Sequence, residues 1–212
     1  MVPTLRLCVY GTAGSGKSTV SRLIAEDLHG RGMTMQIIKI ALPLYRLQQH
    51  LYASAGRDVD LWTHDNELLR VLATQLRRIN PDFLADDFLT RTRACCADVV
   101  INDDLRDTAV DYPRLVADGF CFLGVRCDDD VRRRRLTARA DITIVADSAD
   151  GWGFHTIRPH WSIDNSADDR DDLCKHVSAI VDQWLDTTAS RDQPTSQGRA
   201  SQPSTGETEN PR

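Results

Sequence analysis

No run of apolar residues in this chain approaches the length needed to cross a bilayer, and the N-terminus lacks a basic stretch followed by an apolar segment. A membrane partner is therefore not expected, and a cytoplasmic location is. Positive charge is not in excess. The 26 Lys and Arg stand against 31 Asp and Glu, and the formal net charge of -5 argues against a protein that coats nucleic acid. The six cysteines form no Cys-x-x-Cys pair and no zinc-like Cys/His cluster, so no metal site built from protein ligands alone is expected. Cys8 and Cys121 lie inside apolar runs and read as small buried hydrophobes; adjacent Cys95 and Cys96 read as packing residues before a redox pair. No Asn-Lys-x-Asp motif for reading guanine is present, and no internal repeat.

From Thr187 onward the chain also lacks any aromatic and any aliphatic residue larger than Ala. Such a segment cannot bury enough surface to offset chain entropy. The expected organisation is one domain over 1–186 followed by a disordered tail over 187–212. Within the domain, apolar runs alternate with helical patterns. "LRLCVY", "MQIIKI" (35–40), "DVVIND" (98–103), "FCFLGVR" (120–126) and the short "WSID" (161–164) read as strands. Helical spacing covers about 42–55, 64–79, 82–97 and 169–186. This alternation predicts an α/β fold, a parallel sheet of about five strands with helices on both faces in three layers.

Directly after the first strand comes Gly11-Thr12-Ala13-Gly14-Ser15-Gly16-Lys17-Ser18-Thr19, which fits the P-loop pattern of a glycine, four residues, then Gly-Lys-Ser/Thr. Glycines let the backbone N–H groups close on phosphate oxygens, and the following helix aims its positive end at the same place. Lys17 is expected to reach the β- and γ-phosphates of ATP and Ser18 to complete a Mg²⁺ shell. The third strand ends in "VVINDDLR". A carboxylate after a buried apolar strand is where P-loop proteins hold Mg²⁺. Asp103 and Asp104 both qualify; Asp103 is assigned to the metal and Asp104 to the acceptor side, with the exchange of the two left open.

The chain resembles the deoxynucleoside monophosphate kinases of phage and bacterial type, within the adenylate kinase-like P-loop kinases. The likeness runs through "YGTAGSGKST", "KIALPLYRLQQHLY", "ELLRVLATQLRRINPDFLADDF", "VVINDDLRDTAVDYPRLVADGF" and "HWSIDNSADDRDDL", covering about residues 5–185. It departs from the family where "LRDTAVDYPR" replaces an Asp-x-Arg-Asn-Glu pattern and where "FHTIRPHW" lacks a glutamate. The resemblance implies ATP-dependent phosphorylation of a nucleoside monophosphate, with a small-molecule nucleotide as partner and a homodimer left open. It also implies acceptor contacts at Arg78 and Arg106, with Arg77 competing with Arg78, and a lid over "RRRRLTAR". There Arg135 and Arg139, four apart, are the candidates to cover the phosphates, with Gly151 and Gly153 as hinges. Tyr45 and Phe83 are candidates to stack on a base, against the plainer reading of core aromatics. His155 and His160 read as surface residues. A kinase for another small phosphorylated or hydroxyl acceptor, and a nucleotide-dependent regulatory ATPase, are the alternatives.

Overall fold

The computed structural model describes residues 4–138, 153–167 and 169–191, with side chains of the last segment through 188. In chain order the elements are β1 (Leu5–Tyr10), α1 (Lys17–Gly30), β2 (Met35–Ile37), α2 (Leu42–Ser54), α3 (Asn66–Ile79), α4 (Phe83–Arg93), β3 (Val99–Asn102), α5 (Asp111–Ala117), β4 (Cys121–Arg126), α6 (Asp129–Thr137), a single 3-10 turn (Phe154–Thr156), β5 (Trp161–Asp164) and α7 (Arg170–Arg191). The strands form one sheet in the order β2-β3-β1-β4-β5, and every pairing is parallel.

The strand period of two divides β1 between two cores. Cys8 and Tyr10 face a layer containing Ile40, Leu44, Phe88, Leu115 and Phe122. Leu7 and Val9 face the opposite layer, where α1 supplies Val20, Ile24 and Leu28 and α7 supplies Val177, Val181 and Trp184. Helices therefore cover both sides of the sheet, which is why β3 is buried at all its positions and reads as a continuous apolar run. This is a three-layer α/β fold, a five-stranded parallel sheet with helices on both faces. Its loops at the carboxyl ends of β1, β3 and β4 meet at one edge, where open α/β sheets bind ligands.

Three boundaries depart from the sequence pattern. β2 stops at Ile37, before the expected Ile40, because the backbone N–H groups of Ile40 and Ala41 leave the ladder and donate to the Asp104 carboxylate at 2.8 and 2.9 Å. α4 ends at Arg93 where a helix to 97 was expected. α7 continues to Arg191, past the composition change at Thr187. Inside it the Thr187 and Thr188 hydroxyls donate to the Gln183 and Trp184 carbonyls of the preceding turn. Residues 192–212 of the expected tail lie outside the described residues. Among those described, no helix is long and apolar enough to cross a membrane.

Candidate active site

The loop after β1 is shaped by two glycines that admit no substitute. Gly16 caps α1 at φ 96°, and a methyl group there would collide with the Asn165 carboxamide. At Gly11 a methyl group would strike the backbone carbonyl of Val125 at the end of β4. The first turn of α1 has no side-chain cap and no acidic residue. Its leading N–H groups are thus left for an anion to satisfy. The Lys17 ammonium is folded onto the loop, donating to the carbonyls of Gly11 (2.9 Å) and Thr12 (3.0 Å). Ser18 is exposed in the first turn, while Thr12, Ala13 and Thr19 form a half-buried rim. The buried Ser15 hydroxyl has no hydrogen-bond partner among the described residues. An orphaned donor, an uncapped helix end and a movable ammonium together fit a polyphosphate.

The two aspartates at the end of β3 part company in the structure. Asp104 uses both oxygens internally: Oδ1 accepts from Ile40 N and from Asn102 Nδ2 (2.7 Å), and Oδ2 accepts from Ala41 N. It fastens the start of α2 to β3, so the acceptor-side role expected for Asp104 is replaced by a structural one. Asp103 accepts one bond, from Lys39 Nζ at 2.6 Å, and its second oxygen has no hydrogen bond among the described residues. Burial pushes the pKa of the Cys8 thiol well up; Asp104, Asp103 and Asp111 push it further, and Lys17 opposes them. No group of three or more His, Cys, Asp or Glu suited to a metal occurs among the described residues. One carboxylate and one hydroxyl, Asp103 and Ser18, fit a Mg²⁺ that takes its remaining ligands from phosphates and water.

A cavity of about 240 Å³ lies among α2, α3, the start of α4 and the segment that follows β3. Ile40, Leu44, Leu69 and Leu84 give it apolar walls, and Arg70, Arg77, Arg106 and Asp107 add charged groups to its lining. Arg106, assigned to the acceptor side from the resemblance, is among the lining residues. Arg78 is not: its Nε donates to Gln75 Oε1 (3.0 Å) on the exposed face of α3. Residues 70, 73, 74 and 77 share one helical face; position 78 is turned 100° from position 77 and lies past the edge of that face. Arg77 therefore takes the cavity. Its Nη2 bridges both oxygens of Asp111 at 3.0 and 2.9 Å, and its Nε stands 3.6 Å from Asp107 Oδ2. Burial holds the Asp111 carboxyl above its ordinary range, with Arg77 pulling the other way. Tyr45 also moves to the bland reading. It is buried, its hydroxyl is 3.0 Å from His64 Nδ1, and its ring packs on Trp62. Leu44 faces the cavity in its place, and Phe83 is not among the lining residues. His160 is structural, its Nδ1 accepting the Phe122 N–H.

Against the phosphate loop itself packs α6. Arg132 and Leu136 lie over Gly14, and Arg135 Nη1 donates to the Asn165 carbonyl at 3.0 Å. Asn165 in turn is buried and donates through Nδ2 to the Ser15 carbonyl at 2.8 Å. Its place is set by a tight turn in which Asp164 Oδ1 accepts from the Ser166 N–H and hydroxyl, bonds that hold the Asp164 carboxyl below its ordinary value. Asn165 and Lys39 were not singled out from the sequence. Asn165 stands in the "SIDNS" segment and could have been found there; nothing local marks Lys39. Arg139 and Gly151 lie outside the described residues.

No protein-family model matches the chain, and no curated protein matches its sequence. Solved structures resemble it in fold. A sugar kinase from Janibacter sp. HTCC2649 has a TM-score of 0.48 at 16% identity, over 87% of this chain and 95% of that one. A gluconokinase from Sinorhizobium meliloti 1021 has 0.48 at 14%, over 89% and 98%. The Mycobacterium tuberculosis APS kinase CysC, in complex with AMPPNP and APS, has 0.47 at 17%, over 87% and 99%. These are distant likenesses. The functional reading rests on the site itself.

Proposed function

We infer that this chain transfers the γ-phosphoryl group of ATP to a small phosphorylated acceptor, with nucleoside monophosphates the class to which the sequence resemblance points. One observation carries the reading: a cavity with apolar walls and three arginines in its lining is bordered by the segment after β3, and the neighbouring strand β1 leads into an uncapped, lysine-bearing phosphate loop. In this reading the loop N–H groups and Lys17 hold the β- and γ-phosphates, and Arg135 of α6 meets the charge that builds in transit, a role the sequence also assigns to Arg139. Asp103 and Ser18 would hold Mg²⁺, which when bound neutralises charge between the β- and γ-phosphates. Arg70, Arg77 and Arg106 orient the acceptor, since a guanidinium fork grips phosphate through paired hydrogen bonds. An acceptor phosphate oxygen is already ionised. It bonds to the γ-phosphorus as the bond to the ADP oxygen breaks, and no proton has to move.

A second reading, a hydroxyl acceptor, has its own observation. Asp107 lines the cavity; its Oδ1 accepts from the Ala109 and Val110 N–H groups at 2.9 and 3.1 Å, and its Oδ2, 3.6 Å from Arg77 Nε, is the more loosely engaged oxygen. A hydroxyl must lose a proton, and Asp107 would take it. The test is ATP turnover with product mass, screened over ribo- and deoxyribonucleoside monophosphates, sugars and hydroxy acids. Strong stimulation by a monophosphate, insensitive to Asp107→Asn, supports the first reading. Stimulation by an alcohol, abolished by Asp107→Asn, supports the second. If no small molecule is phosphorylated, a protein-directed switch is the better account.

A further inference from the structure

Lys39 is a cation at the site that the reading above leaves unused. It stands between β2 and α2, directly before Ile40 and Ala41, which line the cavity. Its backbone is pinned. The Lys39 carbonyl accepts from Arg91 Nη2 at 2.9 Å, and the next two N–H groups are bound by Asp104. Among the described residues its side chain is tied at one point, the 2.6 Å contact with Asp103 Oδ1, and it keeps 28% of its surface exposed. Asp103 is its opposite, with a side chain only 2% exposed at the rigid end of β3.

A carboxylate so buried needs a cation, and without a metal the lysine supplies it. The same carboxylate is the one that fits Mg²⁺. Two cations packed against one carboxylate repel each other strongly where water is scarce. The strand end cannot move aside, whereas an ammonium on a flexible four-carbon stem can. The pinned backbone keeps its swing near Asp103 on one side and near Ile40 and Ala41, which line the cavity, on the other.

We propose that Lys39 is an exchangeable counter-ion: it neutralises Asp103 until the metal and nucleotide arrive, then yields that oxygen and turns its ammonium to the acceptor phosphate. This rests on the kinase reading, and it adds an order to the events. The acceptor side gains its last positive charge only after the metal is seated, which ties acceptor binding to a loaded phosphate loop.

The test measures Mn²⁺ binding by electron paramagnetic resonance, on the full chain with a non-transferable ATP analogue. The variants are Lys39→Met, Lys39→Arg, Asp103→Asn and the Lys39→Met/Asp103→Asn pair. Removing the competing ammonium should tighten Mn²⁺ on the order of tenfold in Lys39→Met, the scale of one charge-assisted bond. Lys39→Arg, which can still pair with the carboxylate, should stay near the parent. In the Asp103→Asn background Lys39→Met should change nothing. Unchanged or weaker Mn²⁺ binding in Lys39→Met overturns the exchange, and so does equal tightening in the Asp103→Asn background. In steady state, Lys39→Met should raise the acceptor KM about tenfold with the ATP KM constant; an unchanged acceptor KM overturns the second half of the proposal. Should the parent phosphorylate no acceptor, the kinase reading falls, while the Mn²⁺ comparison still decides the exchange.

Discussion

Tyr10 ends β1 where the phosphate loop begins, and its ring is held between Phe122 (centroids 6.5 Å) and Phe154 (5.7 Å). Burial pushes its phenol from the ordinary 10.0 up to about 12; Arg126 opposes this, and Cys8 and Tyr112 add to it. Below pH 10 the folded and unfolded chains both hold this proton. Between 10 and 12 the unfolded chain releases it first, so stability falls as pH rises and the loss is complete above 12. Tyr10→Phe keeps the ring and removes the proton. Its melting temperature should therefore decline less than the parent's between pH 10 and 12; parallel curves would contradict the assignment. At the same scale, Asp103 and Asp104 show where sequence reading stops. Adjacent residues at a strand end point to opposite sides, and which carboxylate is left to meet a cation depends on partners 64 positions away, Lys39 for one and Ile40 for the other. Composition and spacing carry no trace of that choice.

The elements were more legible than the residues, for a physical reason. β1, β3 and β4 lie between two helical layers, so their buried stretches are apolar runs that stand out, with polar Arg6, Asn102 and Arg126 near their ends. The end of β2 was hidden because Asp104, on another element, sets it. The arginine of α3 could be narrowed to 77 or 78 by pattern; only the placement of the helix against the cavity chooses 77. The α6 and β5–α7 contacts with the loop were the least visible, being made across the chain by Arg132, Arg135 and Asn165. They also predict an effect. Asn165→Ala removes the donor to the Ser15 carbonyl and frees the loop where its backbone must be fixed to meet phosphate. It should cost about 1 kcal/mol of stability and weaken ATP about tenfold. Asn165→Asp sets a carboxylate against that carbonyl and near the phosphates, and should weaken ATP further. Calorimetric titration of ATP with a melting curve for each variant checks this. Equal affinity in all three proteins would reduce Asn165 to a packing residue.

Across the whole molecule, the sheet edge separates two charged regions: Lys17 and Arg135 around the loop, and Arg70, Arg77 and Arg106 around the cavity. If ATP and acceptor bind at these two ends, variants at one end should leave the other substrate's binding alone. Arg70 is the cleanest probe of the cavity, because its guanidinium has no hydrogen bond or ion pair among the described residues and its loss orphans nothing. Arg77→Ala would strand the buried Asp111 carboxylate and confuse function with folding. Arg70→Ala should raise the acceptor KM on the order of tenfold with ATP KM and kcat near the parent's, the loss of one charge-assisted contact made in ground and transition states alike. Arg78→Ala, on the outer face of α3, should change neither. Lys17→Ala should lower kcat at saturating substrates by about 10²-fold or more, and Arg135→Ala in the same direction, since both face charge that builds during transfer. The measurement is a grid of initial rates over both substrate concentrations for the four variants. An Arg78→Ala defect equal to that of Arg70→Ala would put the acceptor on the outer face of α3 and remove the cavity from the mechanism. A Lys17→Ala variant that keeps more than about a tenth of the rate would remove the loop lysine from it, since the loss of a single transition-state contact exceeds that.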